Sequence, residues 1–338
     1  MQTESKIKKI LPLLILVSPL VLGWLALFIG AYGIEPFDIL SYLFDAIFNP
    51  IALDSGEKAI LFDIRLPRII LAGLVGIALG GSGVALQGIF RNPLVDPFIL
   101  GVSAGAAFGC ALSVGFFPHL PVQIAAFVFG ILSVLLTFTV ARTQGDVSRL
   151  PLILSGVIIS AFFTALVSIV KFLVDPQKLQ SIVFWLMGSF ALAGWRVVGI
   201  AAVGIALGLI PIILMRWRLN VMSMGEEEAK TLGIHVTRER IIFIAASTLM
   251  VSVAVSVSGI IGWVGLMAPH LVRMITGPDH RSLVPLSMAG GAAFMIFADT
   301  VARSLTNIDI PVGIITAVIG APFFIYLMKR GGSESWGK

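Results

Sequence analysis

The chain has 338 residues, of which 58% are hydrophobic and only 12% charged, with a mean hydropathy of +1.03. Soluble domains carry roughly 25% charge, so this composition excludes a soluble enzyme and specifies an all-α integral membrane protein with no length left for a separate soluble domain. A net charge of +5 does not mark a nucleic-acid binder, because the basic residues stand at the ends of apolar runs, where they orient membrane spans.

Lys6, Lys8 and Lys9 precede an apolar run from Ile10 to Ala31. That run exceeds the ~7–15-residue apolar region of a cleaved signal and reads as a first span entering from the cytoplasm. A polar loop is expected from Tyr32 to Asp63, followed by the central stretch, Arg65 to Gly109. Between Ile69 and Phe90 there is no formal charge. Those roughly 22 residues suffice to cross a ~30 Å hydrocarbon layer. Gly76 and Gly80, then Gly101, Gly105 and Gly109, recur at helix-face spacing. In lipid, where no hydrophobic drive acts between helices, such small faces admit close backbone packing. The stretch therefore reads as two spans packed together and joined by a polar turn, Arg91 to Pro97.

Further spans are expected near 98–116, 122–141, 151–173 and 197–216. Ser181 to Trp195 is too short to cross and reads as a helix near the outer surface or dipping back. Arg216 to Arg240 reads as one long charged loop. Ile241 to Arg273 has basic residues at both ends, so the chain must go out and return within about 33 residues. A full helix to about Ile260 leaves roughly a dozen residues, ~18 Å, for the return. Such a half-span survives only where protein or a water-filled cavity satisfies its ends, and broken helices of this kind line transport sites. Spans near 284–303 and 311–328 bring the count to ten, the eighth being the half-span, with both termini cytoplasmic. Only Lys58, Arg65, Arg68, Lys171, Lys178, Arg196 and Arg303 of the 23 Lys and Arg then lie outside, the expected bias. Merging 241–273 into one helix would put the basic C-terminus outside.

No catalytic set is present. The sequence lacks G-x-x-x-x-G-K-[ST], HExxH and GxSxG. The lone Cys110 excludes an intrachain disulfide, and His119, His235, His270 and His280 are too scattered for a metal site. Carboxylates are absent from mid-span, so the acids of a proton relay are missing and a driving force must come from elsewhere. Gly225-Glu226-Glu227-Glu228-Ala229-Lys230-Thr231-Leu232-Gly233 reads as a short helix with acids at its N-terminus and Gly233 ending it. It is either a solvated connector or a docking helix for a cytoplasmic partner. Arg65 and Arg68 are one turn apart on one face. Snorkelling is the ordinary reading of each outer arginine, and an acidic partner is the alternative.

RLPR at 65–68, SGVALQGIFRNPLVDPFILGVSAGA at 82–106, GWVGLMAPHLVR at 262–273, DHR at 279–281, ADTVAR at 298–303 and the IPVGIITAVIGAPFFIYLM ending run in one order along the whole chain. Together they resemble the permease family of ABC importers for iron-siderophores, haem and cobalamin. The resemblance implies a ten-helix permease over residues 1–338, with a cytoplasmic coupling segment at about 217–240. It implies a homodimer in the inner membrane, two ATPase subunits below and an extracytoplasmic binding protein above. No cofactor is expected on this chain itself, and ATP-Mg would sit on the separate ATPase. Arg65, Arg68 and Arg303 match the arginines that receive glutamates of the binding protein. Gly225, Glu226, Glu227, Glu228, Ala229, Leu232 and Gly233 match the coupling helix. Val147 and Ser148 fall at the cytoplasmic gate, where the cobalamin members have a hydroxyl residue in place of Val147. Ser155, Gly156, Ser160, Thr164 and Ser168 fall on the fifth helix, which lines the pathway with the tenth. The expected cargo is an iron-siderophore, then haem or cobalamin, with a molybdate-type oxyanion among relatives. A stand-alone secondary transporter or channel is the alternative.

Overall fold

A computed structural model describes residues 2–30, 32–48, 56–142, 148–306 and 308–330, and every regular element among them is helical. The chain begins with α1 (Gln2–Phe28) and α2 (Pro36–Phe48). The short α3 (Gly56–Ala59) runs through a π turn, Ile60–Arg65, into α4 (Leu66–Phe90). Then follow α5 (Val102–Phe116), α6 (Val122–Ala141), α7 (Arg149–Leu173), α8 (Pro176–Leu186) and α9 (Trp195–Met224). The last five are α10 (Glu226–Thr231), α11 (Val236–Ser258), α12 (Val264–Thr276), α13 (His280–Ser304) and α14 (Val312–Arg330). Seven helices are long and apolar enough to cross a bilayer, and α5, α12 and Val312–Leu327 of α14 are apolar but shorter.

Helix α4 is the hub, buried along almost its whole length and packed against α13, α11, α9 and α12. Its glycines do serve close packing, but not with the partner expected from the sequence. Gly76 and Gly80 meet the backbone of Gly291 and Ser287 on α13, while Gly105 and Gly109 of α5 meet Phe129 and Ala125 on α6. Helices α4 and α5 make only slight contact with each other. The reason lies in the link. The turn expected at Arg91 to Pro97 extends to Gly101, with Asp96 capping a 3-10 turn, Pro97–Leu100, through the Phe98 amide at 2.8 Å. Gly101, at φ 91°, then redirects the chain, so the next helix starts at Val102 rather than at 98.

Two expected loops contain helix. Within Tyr32 to Asp63 lies α2, and the π turn carries α3 directly into α4. The π turn has a local cause. Pro67 has no amide to donate and its ring would strike the carbonyl four residues back, so the preceding turn widens and Leu66 donates to Leu61, five residues away. The charged stretch Arg216 to Arg240 is likewise mostly helical, since α9 runs on to Met224 and α11 begins at Val236. Charge alone did not signal a break there, because Arg, Lys and Glu are good helix formers.

The return expected after Ile260 is a separate short helix, α12, about 20 Å long. Side chains of the protein body meet both its ends. Gln87 of α4 donates to the Gly265 carbonyl at 3.4 Å, while Arg273 donates to the Gln87 side-chain oxygen at 2.9 Å. At the α11–α12 reversal, Ser189 donates its amide to the Ser258 carbonyl at 2.7 Å, and Gly313 at the start of α14 donates to Met187. The segment after α8 thus seats against the reversal.

Candidate functional site

Two polar clusters form at opposite ends of α4, whose 25 residues separate them by roughly 37 Å. At the N-terminal end the structure brings Arg303 beside Arg65 and Arg68, a juxtaposition the sequence alone does not specify. These arginines do not snorkel. They are 4–6% exposed and turn inward to line a cavity of about 280 Å³ with Gly30, Tyr32 and Asp309. Arg68 is held by Asp299, with Nε at 3.0 and 3.1 Å from the two carboxylate oxygens and Nη2 at 2.9 Å, and by Asp309 through Nη1 at 2.8 Å. Arg65 donates to the carbonyls of Leu27 and Tyr32, and Arg303 to that of Ala26. The Arg303 Nε is 3.9 Å from Asp299, too far for a hydrogen bond, and is buried with no such partner among the described residues. Three guanidinium groups thus face two carboxylates, and the cavity retains one uncompensated positive charge.

At the other end, α10 is a discrete helix. The acids Glu226, Glu227 and Glu228 occupy its first turn, where the helix dipole favours negative charge. It closes in a Schellman motif: Ile234 donates to Ala229, Gly233 donates to Lys230, and Gly233 takes φ 78°. Ala229 is buried against the body, whereas Glu227, Lys230 and Leu232 face outward.

Glu226 is the exception among the acids, because it points inward. Its Oε1 accepts from Arg240 of α11 at 2.6 Å and lies 3.0 Å from Nη2 of Arg149, the first residue of α7. Burial disfavours the charged Glu226, yet Arg240 and Arg149 outweigh it and hold the carboxyl below its ordinary range. One carboxylate oxygen therefore clasps α10 to α7 and α11 together. Further ties surround it. Arg91 donates to the Met224 carbonyl at 3.0 Å, Arg218 pairs with the buried Glu239, and Asn220 bonds both Asp279 and the His280 backbone. The end of α9, from which α10 hangs, is thereby fastened to α4, α11 and α13.

The remaining expected residues divide. Val147 lies outside the described residues, while Ser148 is exposed at the N-cap of α7. The five α7 residues do not share a face. Ser155 and Gly156 are buried, Gly156 against the Ile99 carbonyl, and Ser160 is half-buried near Gly101. Thr164 and Ser168 lie on the exposed face, their hydroxyls bonded to the carbonyls four residues back at 2.7 and 3.0 Å. Around them the exposed face is apolar, with Leu154, Val157, Ile158, Phe162 and Ile169 each more than half exposed. Sequence reasoning missed Asp299, Asp309, Arg240 and Asn220. Only Asp299 left a trace, four residues before Arg303, the spacing that joins two side chains on a helix.

The chain is thus a body of long apolar helices with a short helix clasped at one end and a charged cavity at the other. Comparisons with known proteins give its family. The chain belongs to the FecCD transport family, which it matches over residues 15–330. It is 46% identical over 276 residues to a Helicobacter pylori protein named as a probable iron chelatin transport system permease protein, covering 82% of this chain and 84% of that one. It is 43% identical to the molybdate import system permease protein MolB of Haemophilus influenzae over 313 residues, covering 91% and 93%. Among solved structures it is similar to an inward-facing metal-chelate-type ABC transporter, with TM-score 0.84, 39% identity and coverage of 95% and 99%.

Proposed function

We propose that two copies of this chain form the membrane pathway of a binding-protein-dependent ABC importer for an iron chelate, each crossing the inner membrane ten times with both termini inside. The observation that carries the reading is the Glu226 clasp. An outward-facing docking helix is of use only if its displacement reaches the helices that bound the pathway, and Glu226 joins α10 to the first residue of α7. A cytoplasmic ATPase seated on Glu227, Lys230 and Leu232 would pull α10, and the clasp would carry that pull to α7 and α11. The exposed apolar face of α7 suits the facing protomer, with Thr164 and Ser168 offering weak hydrogen bonds that let cargo pass without being held.

At the other end, the cavity of Arg65, Arg68 and Arg303 in each protomer suits one carboxylate from one lobe of a binding protein, since one positive charge is left over there once Asp299 and Asp309 are counted. The iron-chelate cargo follows the 46%-identical relative. A molybdate-type oxyanion is the second reading, favoured by the 43% identity to the molybdate permease over 91% of the chain. The test is reconstitution of the permease with its ATPase and binding protein in liposomes, with uptake of ferric siderophore and of molybdate measured in parallel. Uptake of the chelate that needs ATP and the binding protein supports the proposal. Uptake driven by an ion gradient through the permease alone would overturn it in favour of a secondary transporter, and ATP-dependent uptake of molybdate alone would reassign the cargo.

A further inference from the structure

Helices α6 and α11 pack tightly at one level and part at another. Gly130 sits against Ser252, where an added Cβ would lie 3.2 Å from the serine oxygen. Toward the C-terminal end of α6 the two helices separate around a cavity of about 340 Å³. Leu135 and Phe138 line one wall, and Ile241, Ala245 and Leu249 the other. On α11 these three positions recur every four residues, so they form a single apolar stripe. The lining of the groove is almost wholly apolar, Thr248 being its one hydroxyl residue, as an acyl chain requires.

The same groove has a cationic mouth. Ile241 also lines an open basin of about 820 Å³ with His235, Thr237, Arg238 and Ile242. Arg238 is exposed and forms no ion pair with a carboxylate among the described residues. The nearest acid in sequence, Glu239, is buried elsewhere and paired with Arg218. Arg142, which follows the last residue of α6, is also exposed at this end. The apolar run of α11 begins at Ile241, so Arg238 stands one turn below the hydrocarbon boundary, at the depth of lipid phosphates.

We propose that this groove binds an anionic phospholipid, one acyl chain lying between α6 and α11 and the headgroup phosphate at Arg238 and His235. No carboxylate among the described residues pairs with Arg238, and a lipid phosphate would neutralise it. His235 and Arg238 follow directly on α10, so the test reads lipid binding to the permease alone, without ATPase or cargo.

The experiment is native mass spectrometry of the full chain purified in detergent and offered phosphatidylglycerol and phosphatidylcholine with identical acyl chains. The wild type should retain phosphatidylglycerol preferentially. Arg238→Gln should reduce that preference roughly fivefold, the effect of one cation near a membrane surface. Ala245→Trp should fill the groove and abolish retention of the anionic lipid, with thermal unfolding in detergent checking the fold of both variants. A second measurement uses the wild type alone: phosphatidylglycerol with a diazirine in its acyl chain should crosslink to peptides of α6 and α11. An unchanged lipid ratio in Arg238→Gln, crosslinks elsewhere, a crosslinked second copy in place of lipid, or loss of retention in excess inorganic phosphate would each overturn the proposal.

Discussion

Substituting Glu226 by Gln tests the clasp with the least disturbance, because the amide keeps the shape and loses the charge. The carboxylate has 38% of its side chain exposed, so its bonds stand between the buried and surface regimes. Hydrogen bonds to a charged group contribute about 1.5–3 kcal/mol, and exposed ion pairs about 0.2–1 kcal/mol. Arg240 is 2% exposed and its bond at 2.6 Å belongs near the first range, about 1.5 kcal/mol. Arg149, at 3.0 Å and 23% exposed, belongs near the top of the second, about 1 kcal/mol. The clasp can therefore transmit about 2.5 kcal/mol between α10 and helices α7 and α11, and each 1.4 kcal/mol is a factor of ten. Removing the charge should forfeit most of it. The expected result is a fall of roughly tenfold or more in cargo moved per ATP hydrolysed, with ATPase activity retained. Glu227→Gln separates docking from transmission: Glu227 is 82% exposed and pairs with Lys230 within its own helix, so its loss should weaken ATPase binding while leaving cargo moved per ATP hydrolysed unchanged. A double-mutant cycle between Glu226 and Arg149 should show non-additivity of about 1 kcal/mol. An unchanged coupling ratio in Glu226→Gln, or strict additivity in the cycle, would refute the transmission argument even if α10 docks the ATPase.

The same clasp predicts a pH dependence: because Glu226 titrates below its ordinary 4.5, the charged form and the coupling ratio should hold through neutral pH and be lost only as pH falls below that value, while Glu226→Gln shows no such acid limb. At the far cavity, Asp299→Ala strips a buried bidentate partner from Arg68 and should cost about 3–5 kcal/mol, seen as a sharp loss of thermal stability in detergent, while Asp309→Ala costs far less because Asp309 is 43% exposed. Gly76→Ala drives a methyl into the Gly291 backbone and should destabilise by about 1–3 kcal/mol. Gly199→Ala, which meets nothing within 4 Å, should be neutral or stabilising in the same unfolding assay.

The parts of this architecture that were legible in the sequence are those set by local physics. Apolar run length located the long helices, and charge at both ends of 241–273 called for a break, which the structure shows between α11 and α12. Gly233 was readable as a helix terminator because a left-handed residue after acids in a first turn is a local signal. What could not be read was pairing across distance. Gly76 and Gly80 announce a close helix contact but not its partner, and α13 lies more than 200 residues away in the chain. Arg68 and Asp299 are separated by 231 positions, and Glu226 and Arg149 belong to different charged segments, each readable as an ordinary solvated group. These long-range pairs carry the functional argument because a bilayer makes an unpaired inward charge costly. Glu226 obeys a different rule from its neighbours because it faces the protein body, where Arg240 and Arg149 compensate its burial. Glu227 and Glu228 serve the helix dipole and solvent, as any first-turn acid does. Glu226, one position earlier, reaches two arginines on separate helices, so the residue nearest the start of α10 binds it to the transmembrane body and leaves the others free to face a partner.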